Sequence, residues 1–270
     1  MRIDLHLHST ASDGGLSPGE LVRAAARAGL DVIALGDHDT TAGVAEARRA
    51  AEGLLRVVPA LEISTTDQGS EIHILGYFVD PDHAALREHA RAAAARRRDR
   101  ILAILERLRA LGIHISFDDV LAEAGGSAGV LGRPHVARAL VRHGHAATLD
   151  QAFEQYLADG RPAFEPMNLI APARAIELIH LAGGLAVWAH PPLDGVEAEA
   201  RRLAALGLDG LECFRPRVAP DDARRLGELA RGLGLVVTGG SDWHGAWSGI
   251  LGAFHVTPED VPDIAARIGL

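Results

Sequence analysis

Short apolar segments alternate with amphipathic helical ones along most of this 270-residue chain, and several apolar segments end in histidine or carboxylate. The pattern opens at Ile3-Asp4-Leu5-His6-Leu7-His8. Period-two alternation puts Ile3, Leu5 and Leu7 on one strand face and Asp4, His6 and His8 on the other. A helix follows, from a capping box at Ser17-Pro18-Gly19-Glu20 to a stop at Gly29. Val32–Leu35 reads as a buried strand running into Gly36-Asp37-His38. A helix spans about 43–52, a strand over 56–63 carries Glu62, and a strand over 72–79 has His73 near its start. Later strands are predicted at 185–189, ending at His190, at 210–214, and at 235–238, running into Ser241-Asp242-Trp243-His244. Alternation of this length predicts a parallel (β/α) barrel or an open α/β sheet.

Position carries more information here than residue type. His-x-His alone is weak evidence for a metal. In a (β/α) barrel, however, the strand C-termini converge on one mouth, where active sites are built. His6, His8, Asp37, His38, Glu62, His190, Asp242 and His244 all fall at or just past strand ends, with His73 as the exception. His83, His89, His114, His143, His145, His180 and His255 scatter over helices and surfaces.

No strand signal interrupts residues 96–165, where helices are predicted to run up to Gly112 and to open at Ser116, Arg133-Pro134 and Thr148. The expected organisation is a barrel of 1–95 and 166–270 with a helical insertion at 96–165. The insertion carries ten Arg and nine acidic residues in a chain of net charge -9, so it is relatively basic. That overall charge argues against broad coating of nucleic acid. All 27 basic residues are Arg, which excludes lysine Schiff-base chemistry and leaves guanidinium forks for anion recognition. The run Arg96-Arg97-Arg98-Asp99-Arg100 reads as a solvated helix face. The lone Cys213 lies in an apolar run, reads as core, and suits the cytoplasm. No apolar run approaches the roughly 20 residues of a membrane span, and a strand at the N-terminus leaves no room for a signal peptide.

The motifs His6-Leu7-His8-Ser9-Thr10, Ser12-Asp13-Gly14, Gly36-Asp37-His38-Asp39-Thr40, Glu62-Ile63, His73-Ile74-Leu75-Gly76, Ala189-His190-Pro191 and Ser241-Asp242-Trp243-His244 resemble the polymerase and histidinol phosphatase (PHP) family of metal-dependent phosphoesterases. Gly132-Arg133-Pro134-His135 and Gly160-Arg161-Pro162 narrow the resemblance to the subgroup of 3′,5′-nucleoside bisphosphate phosphatases and the 5′→3′ exoribonuclease RNase AM. The resemblance implies a distorted seven-stranded barrel with a helical insertion. It implies three metal positions: one held by His6, His8, Glu62 and Asp242, a second by Glu62, His73 and His190, and a third by Asp13, His38 and His244. Asp13 also reads as a plain turn residue. Mixed imidazole and carboxylate ligands suit Mn²⁺, Zn²⁺ or Fe²⁺, and the family favours Mn²⁺, two to three ions per chain. Asp4, Asp37 and Asp39 read as acceptors for ligand imidazoles or as turn residues.

No Gly-x-Ser-x-Gly elbow is present. The expected chemistry is in-line attack of a metal-bound hydroxide on a phosphate ester, with Asp242, Glu62 and His190 at the reacting centre. Arg133 and Arg161 are candidate clamps for a second phosphate, with His135, Arg215 and Arg217 as further candidate contacts. The preferred substrate is a nucleoside 3′,5′-bisphosphate, converted to the 5′-monophosphate and phosphate. The alternatives are stepwise cleavage of short 5′-phosphorylated RNA, hydrolysis of histidinol phosphate, C–N hydrolysis, and a metal-stabilised binding module without turnover. No obligate protein partner and no membrane association are expected.

Overall fold

The computed structural model describes every residue except 68, 125–130 and 168. The residues group into two compact units, one of 1–89 with 169–270 and one of 90–168.

The first unit contains strands β1 (Ile3–Leu7), β2 (Val32–Leu35), β3 (Arg56–Val58), β4 (Ala60–Asp67), β5 (Ser70–Tyr77), β6 (Leu185–Trp188), β7 (Gly210–Phe214) and β8 (Val236–Gly239). β1, β2 and β3 form a parallel sheet. β4 to β8 form a second sheet in sequence order. The segment read as one strand over 56–63 is two strands. Pro59 divides them because it has no N–H to give to a ladder.

The parallel arrangement expected from the sequence is broken in the second sheet. β4 and β5 form an antiparallel hairpin with Glu62 opposite Leu75 and Ser64 opposite His73. β5 is also antiparallel to β6, while β6, β7 and β8 are parallel. The reversal explains the exceptional His73. The start of β5 lies beside the end of β4, so its residues share the mouth with the C-termini of the parallel strands. Both sheets are open, and single bridges stitch them near that mouth. Asp39 N–H donates to the Glu62 carbonyl at 2.7 Å beside the His38–Glu62 bridge, and His8 N–H donates to the Trp243 carbonyl at 2.9 Å.

Helices cover the sheets through their apolar stripes. α1 (Pro18–Arg27) and α2 (Val44–Ala50) bring Leu21, Val22 and Ala47 against Leu7, Ile33 and Leu35. The predicted capping box starts α1: Glu20 N–H donates to Ser17 Oγ at 3.3 Å and Ser17 N–H donates to Glu20 Oε2 at 3.0 Å. α3 (Ala84–Ala110) begins in this unit. Downstream, Ile176 and Ile179 of α7 (Pro172–Leu181), Leu203 of α8 (Val196–Ala205) and Leu226 of α9 (Pro220–Gly232) pack with Leu61, Ile63 and Ile74. A terminal helix absent from the sequence reading, α10 (Pro262–Arg267), places Ile264 among Ile3, Leu5, Val32, Tyr77 and Val187. Each fully buried aliphatic side chain of this kind contributes about 1.5–3 kcal/mol.

The second unit contains most of α3 with α4 (Phe117–Glu123), α5 (Arg133–Arg142), α6 (Leu149–Ala152) and a π-helical turn over Phe153–Leu157. Its core is its own: Ile101, Ile104, Leu108, Val120, Val136, Leu140 and Leu157. Ser116 and Asp119 form the capping box that opens α4. No strand occurs among its described residues, and none of the described helices is long and apolar enough to cross a membrane.

Candidate metal centre

Six imidazoles and three carboxylates converge where the strands of the first unit end. Ligand atoms around a four-coordinate ion at about 2.1 Å lie roughly 3.4 Å apart. His6 Nε2 is 3.3 Å from Glu62 Oε2 and 3.4 Å from Asp242 Oδ1, and His8 Nε2 is 3.4 and 3.2 Å from the same two atoms. The other oxygen of Glu62, Oε1, is 3.1 Å from His73 Nδ1 and 3.0 Å from His190 Nε2, which are 3.2 Å from each other. One carboxylate therefore faces two ligand sets through different oxygens.

A third set surrounds Asp13. Its Oδ1 is 3.4 Å from His244 Nε2 and 3.6 Å from His8 Nδ1, and its Oδ2 is 3.9 Å from His38 Nε2. The ligand sets are more interlocked than the sequence reading supposed. His38 also turns Nδ1 to within 3.2 Å of Glu62 Oε2, and His8 presents one ring nitrogen to each of two sets.

Five atoms of this cluster, His6 Nε2, His8 Nδ1 and Nε2, His38 Nδ1 and Glu62 Oε2, are buried with no hydrogen-bond partner. A buried polar atom left unsatisfied costs about 1–3 kcal/mol. Five together fit a shell whose partner is a cation rather than a hydrogen bond, and the nitrogen and oxygen donors suit a divalent transition ion.

The carboxylates and imidazoles also shift one another. Burial alone would raise the Glu62 carboxyl, but the imidazoles of His38, His6 and His73 hold it well below the usual carboxylate range. Asp13, against its own burial, is kept low by His38, His8 and His244, and Asp242 by His6 and His8. Burial takes His38 down to about 4 against the pull of Glu62 and Asp13. For His73 burial acts the same way but loses, and Glu62 and Glu71 push the imidazole up to about 10.

The backbone is bent to present two of these ligands. His190 and Asp242 have φ of 33° and 54°, in the left-handed region that costs a non-glycine residue about 1–3 kcal/mol. Close packing holds His6. A Cβ on Gly240 would fall 2.3 Å from His6 Cβ, and one on Gly36 would fall 2.9 Å from His6 Cδ2.

Asp4, Asp37 and Asp39, read as acceptors for ligand imidazoles or as turn residues, accept mainly from backbone and hydroxyl groups and from His89. Asp4 accepts the N–H groups of Ser241 at 2.8 Å and His6 at 3.3 Å, and burial lifts its carboxyl to about 6. Asp37 accepts from Ser9 N–H, Ser9 Oγ and Ser12 Oγ, each at 2.7 Å. Asp39 pairs with His89 Nε2 at 3.0 Å. His89, read as a scattered helix residue, is buried. The two carboxylates beside candidate ligand imidazoles are ones the sequence reading missed. Glu212 Oε1 lies 3.0 Å from His6 Nδ1, and Glu71 Oε1 lies 3.0 Å from His73 Nε2. The available signal for Glu212 was a carboxylate inside the apolar strand Gly210-Leu211-Glu212-Cys213-Phe214.

Arg215 and Arg217 line a cleft of about 310 Å³ together with His190, Asp242 and His244. Arg215 donates to the Pro191 carbonyl, and its Nε is buried without a partner. Arg133, His135 and Arg161 lie in the second unit. The Arg133 guanidinium donates to Asp159 at 3.1 Å and Leu157 O at 3.3 Å and lies 5.5 Å from the Phe164 ring centre. Arg161 is exposed. His135 is buried, and its Nδ1 accepts Gly132 N–H at 3.1 Å.

Residues 4–159 match the PHP domain family. The chain is 38% identical over 249 residues to the 5′-3′ exoribonuclease Rnm of Salmonella typhimurium, spanning 89% of this chain and 84% of that one. It is 34% identical to the 3′,5′-nucleoside bisphosphate phosphatase of Chromobacterium violaceum over 98% of this chain and 94% of that one. A solved structure from Bifidobacterium adolescentis, assigned as a metal-dependent phosphoesterase, superimposes with a TM-score of 0.83 at 33% identity, covering 98% and 96% of the two chains. The chain belongs to the PHP family. Within it, this protein is a metal-dependent hydrolase of phosphoric esters.

Proposed function

We propose that the protein hydrolyses the 3′-phosphate of nucleoside 3′,5′-bisphosphates, using water to give the nucleoside 5′-monophosphate and inorganic phosphate. The observation that carries this reading is Glu62, whose two oxygens face separate sets of candidate ligand atoms beside a cleft lined by Arg215 and Arg217. The likeness to the Chromobacterium violaceum bisphosphate phosphatase supports the substrate class.

In this reading His6, His8, Glu62 and Asp242 would hold one ion, Glu62, His73 and His190 a second, and Asp13, His38 and His244 a third, with Mn²⁺ the preferred ion. Bound divalent ions supply Lewis acidity, acidifying water and neutralising phosphoryl charge. The chain supplies the rest. Glu212 fixes the His6 ring, Arg215 meets the transferred phosphate, and Asp242 and His190 border the reacting group. Arg133, now paired with Asp159, and Arg161 offer guanidinium forks suited to a second phosphate.

The second reading is a 5′→3′ exoribonuclease acting at the same 3′-oxygen when it leads into RNA. It is favoured by the 38% identity to Rnm against 34% to the phosphatase. Phosphate release from adenosine 3′,5′-bisphosphate, run beside mononucleotide release from a short 5′-phosphorylated RNA, tests both. Faster turnover of the bisphosphate is expected, and activity on histidinol phosphate or an amide alone would overturn the proposal.

A further inference from the structure

Two clefts in the first unit share His190 as a wall. One, of about 340 Å³, is lined by Asp67, Glu71, Asp194, Glu199 and Arg202. Its guanidinium is already paired, with Arg202 lying 2.5 Å from both Asp67 and Glu199. This cleft is negative and repels a polyanion. The other cleft carries Arg215 and Arg217 beside Asp242 and His244, and it is also lined by Trp247. A nucleotide whose phosphate enters the ligand cluster is drawn to the second cleft.

Trp247 differs from the other two tryptophans. Trp188 and Trp243 are 3% and 7% exposed, whereas Trp247 is 66% exposed. Its loop is tied down rather than loose. Ser248 Oγ accepts His244 N–H at 2.9 Å and Gly245 N–H at 3.2 Å, and Trp243 Nε1 donates to the Gly249 carbonyl at 2.9 Å. The indole also rests on backbone that has no room for a side chain. A Cβ on Gly15 would come within 2.9 Å of Trp247 Cη2, and one on Gly245 within 2.5 Å of Cζ3. A flat, rigidly supported, largely exposed ring therefore stands on the wall of a cationic cleft that ends at Asp242 and His244.

We infer that Trp247 is the base-stacking platform of this site. The base of the bound nucleotide lies on the indole while Arg215 and Arg217 face its phosphate charge. Every base has a π-face, so such a platform binds purines and pyrimidines alike and adds about 1–3 kcal/mol per stacked base. This inference rests on the nucleotide substrate proposed above.

The test compares metal-loaded full-length wild type with Trp247→Ala and Trp247→Phe in two readouts. The first is kcat/KM for adenosine 3′,5′-bisphosphate relative to ribose 3,5-bisphosphate, its base-free counterpart. Wild type prefers the base-bearing substrate by about 5- to 140-fold, as stacking supplies. Trp247→Ala loses most of that preference and Trp247→Phe keeps most of it. The second readout is tryptophan emission during titration with AMP. AMP quenches wild type. The quench disappears in Trp247→Phe although calorimetry still detects AMP binding. An unchanged substrate preference in Trp247→Ala, a quench that persists in Trp247→Phe, or no quench in wild type overturns the platform. If wild type fails to turn over the bisphosphate, the substrate proposal falls by itself and the AMP quench decides the platform.

Discussion

Glu212 holds two candidate metal ligands from one position on β7. Its Oε1 lies 3.0 Å from His6 Nδ1, and its Oε2 accepts the His190 backbone N–H at 2.7 Å. The carboxylate sets the His6 ring so that Nε2 turns toward Glu62 and Asp242, and it anchors the strained turn that carries His190. Glu212→Ala is expected to weaken Mn²⁺ binding by about 10- to 100-fold, the usual effect of removing an outer partner of a ligand imidazole. Activity should return at high Mn²⁺, and Glu212→Gln should lose less. Calorimetric titration of metal-stripped protein checks this, and an unchanged Mn²⁺ affinity in Glu212→Ala would refute it.

Glu62 and Asp242 carry the heavier load. Either changed to Ala is expected to lower kcat by at least ~10³-fold, because bound ions supply most of the charge stabilisation. Elemental analysis should find two to three ions per wild-type chain and fewer in Glu62→Ala. Full activity after exhaustive chelation would rule out the metal mechanism.

The clamp assigned to Arg133 is tested by a two-by-two comparison of wild type and Arg133→Ala, each with a 3′,5′-bisphosphate and a 3′-monophosphate. Remote binding energy used to orient the reacting phosphate makes wild type favour the bisphosphate by about 10²-fold or more in kcat/KM. Arg133→Ala should erase much of that margin. Equal losses on both substrates would show that Arg133 is structural or contacts the transferred group.

Cys213 is buried, and that burial pushes its thiol up to about 12. An unfolded cysteine titrates near 8.5. The folded thiol is therefore protonated at pH 8, and iodoacetamide should label it only as fast as the protein unfolds. The sign of the stability effect follows. The contribution is complete below about pH 8.5 and is lost as pH rises from there towards 12. Rapid labelling of native protein at pH 8 would contradict the burial.

What the sequence determined by itself was the local placement of the candidate site residues. Strand periodicity and turn punctuation are local, so His6, His8, His38, Glu62, His190, Asp242 and His244 could each be placed at a strand end without knowing the neighbours. The helix starts at Ser17 and Ser116 were equally legible, because a cap and its partner are three residues apart. Pairing was not legible. That β5 runs backwards and carries His73 into the mouth depends on its ladders to β4 and β6. That Glu212 supports His6 joins positions 206 residues apart, and Asp39 finds His89 across 50. Single-residue pattern cannot encode such separations. They are set by sheet order and packing, so only the tertiary structure decided which carboxylate serves which imidazole.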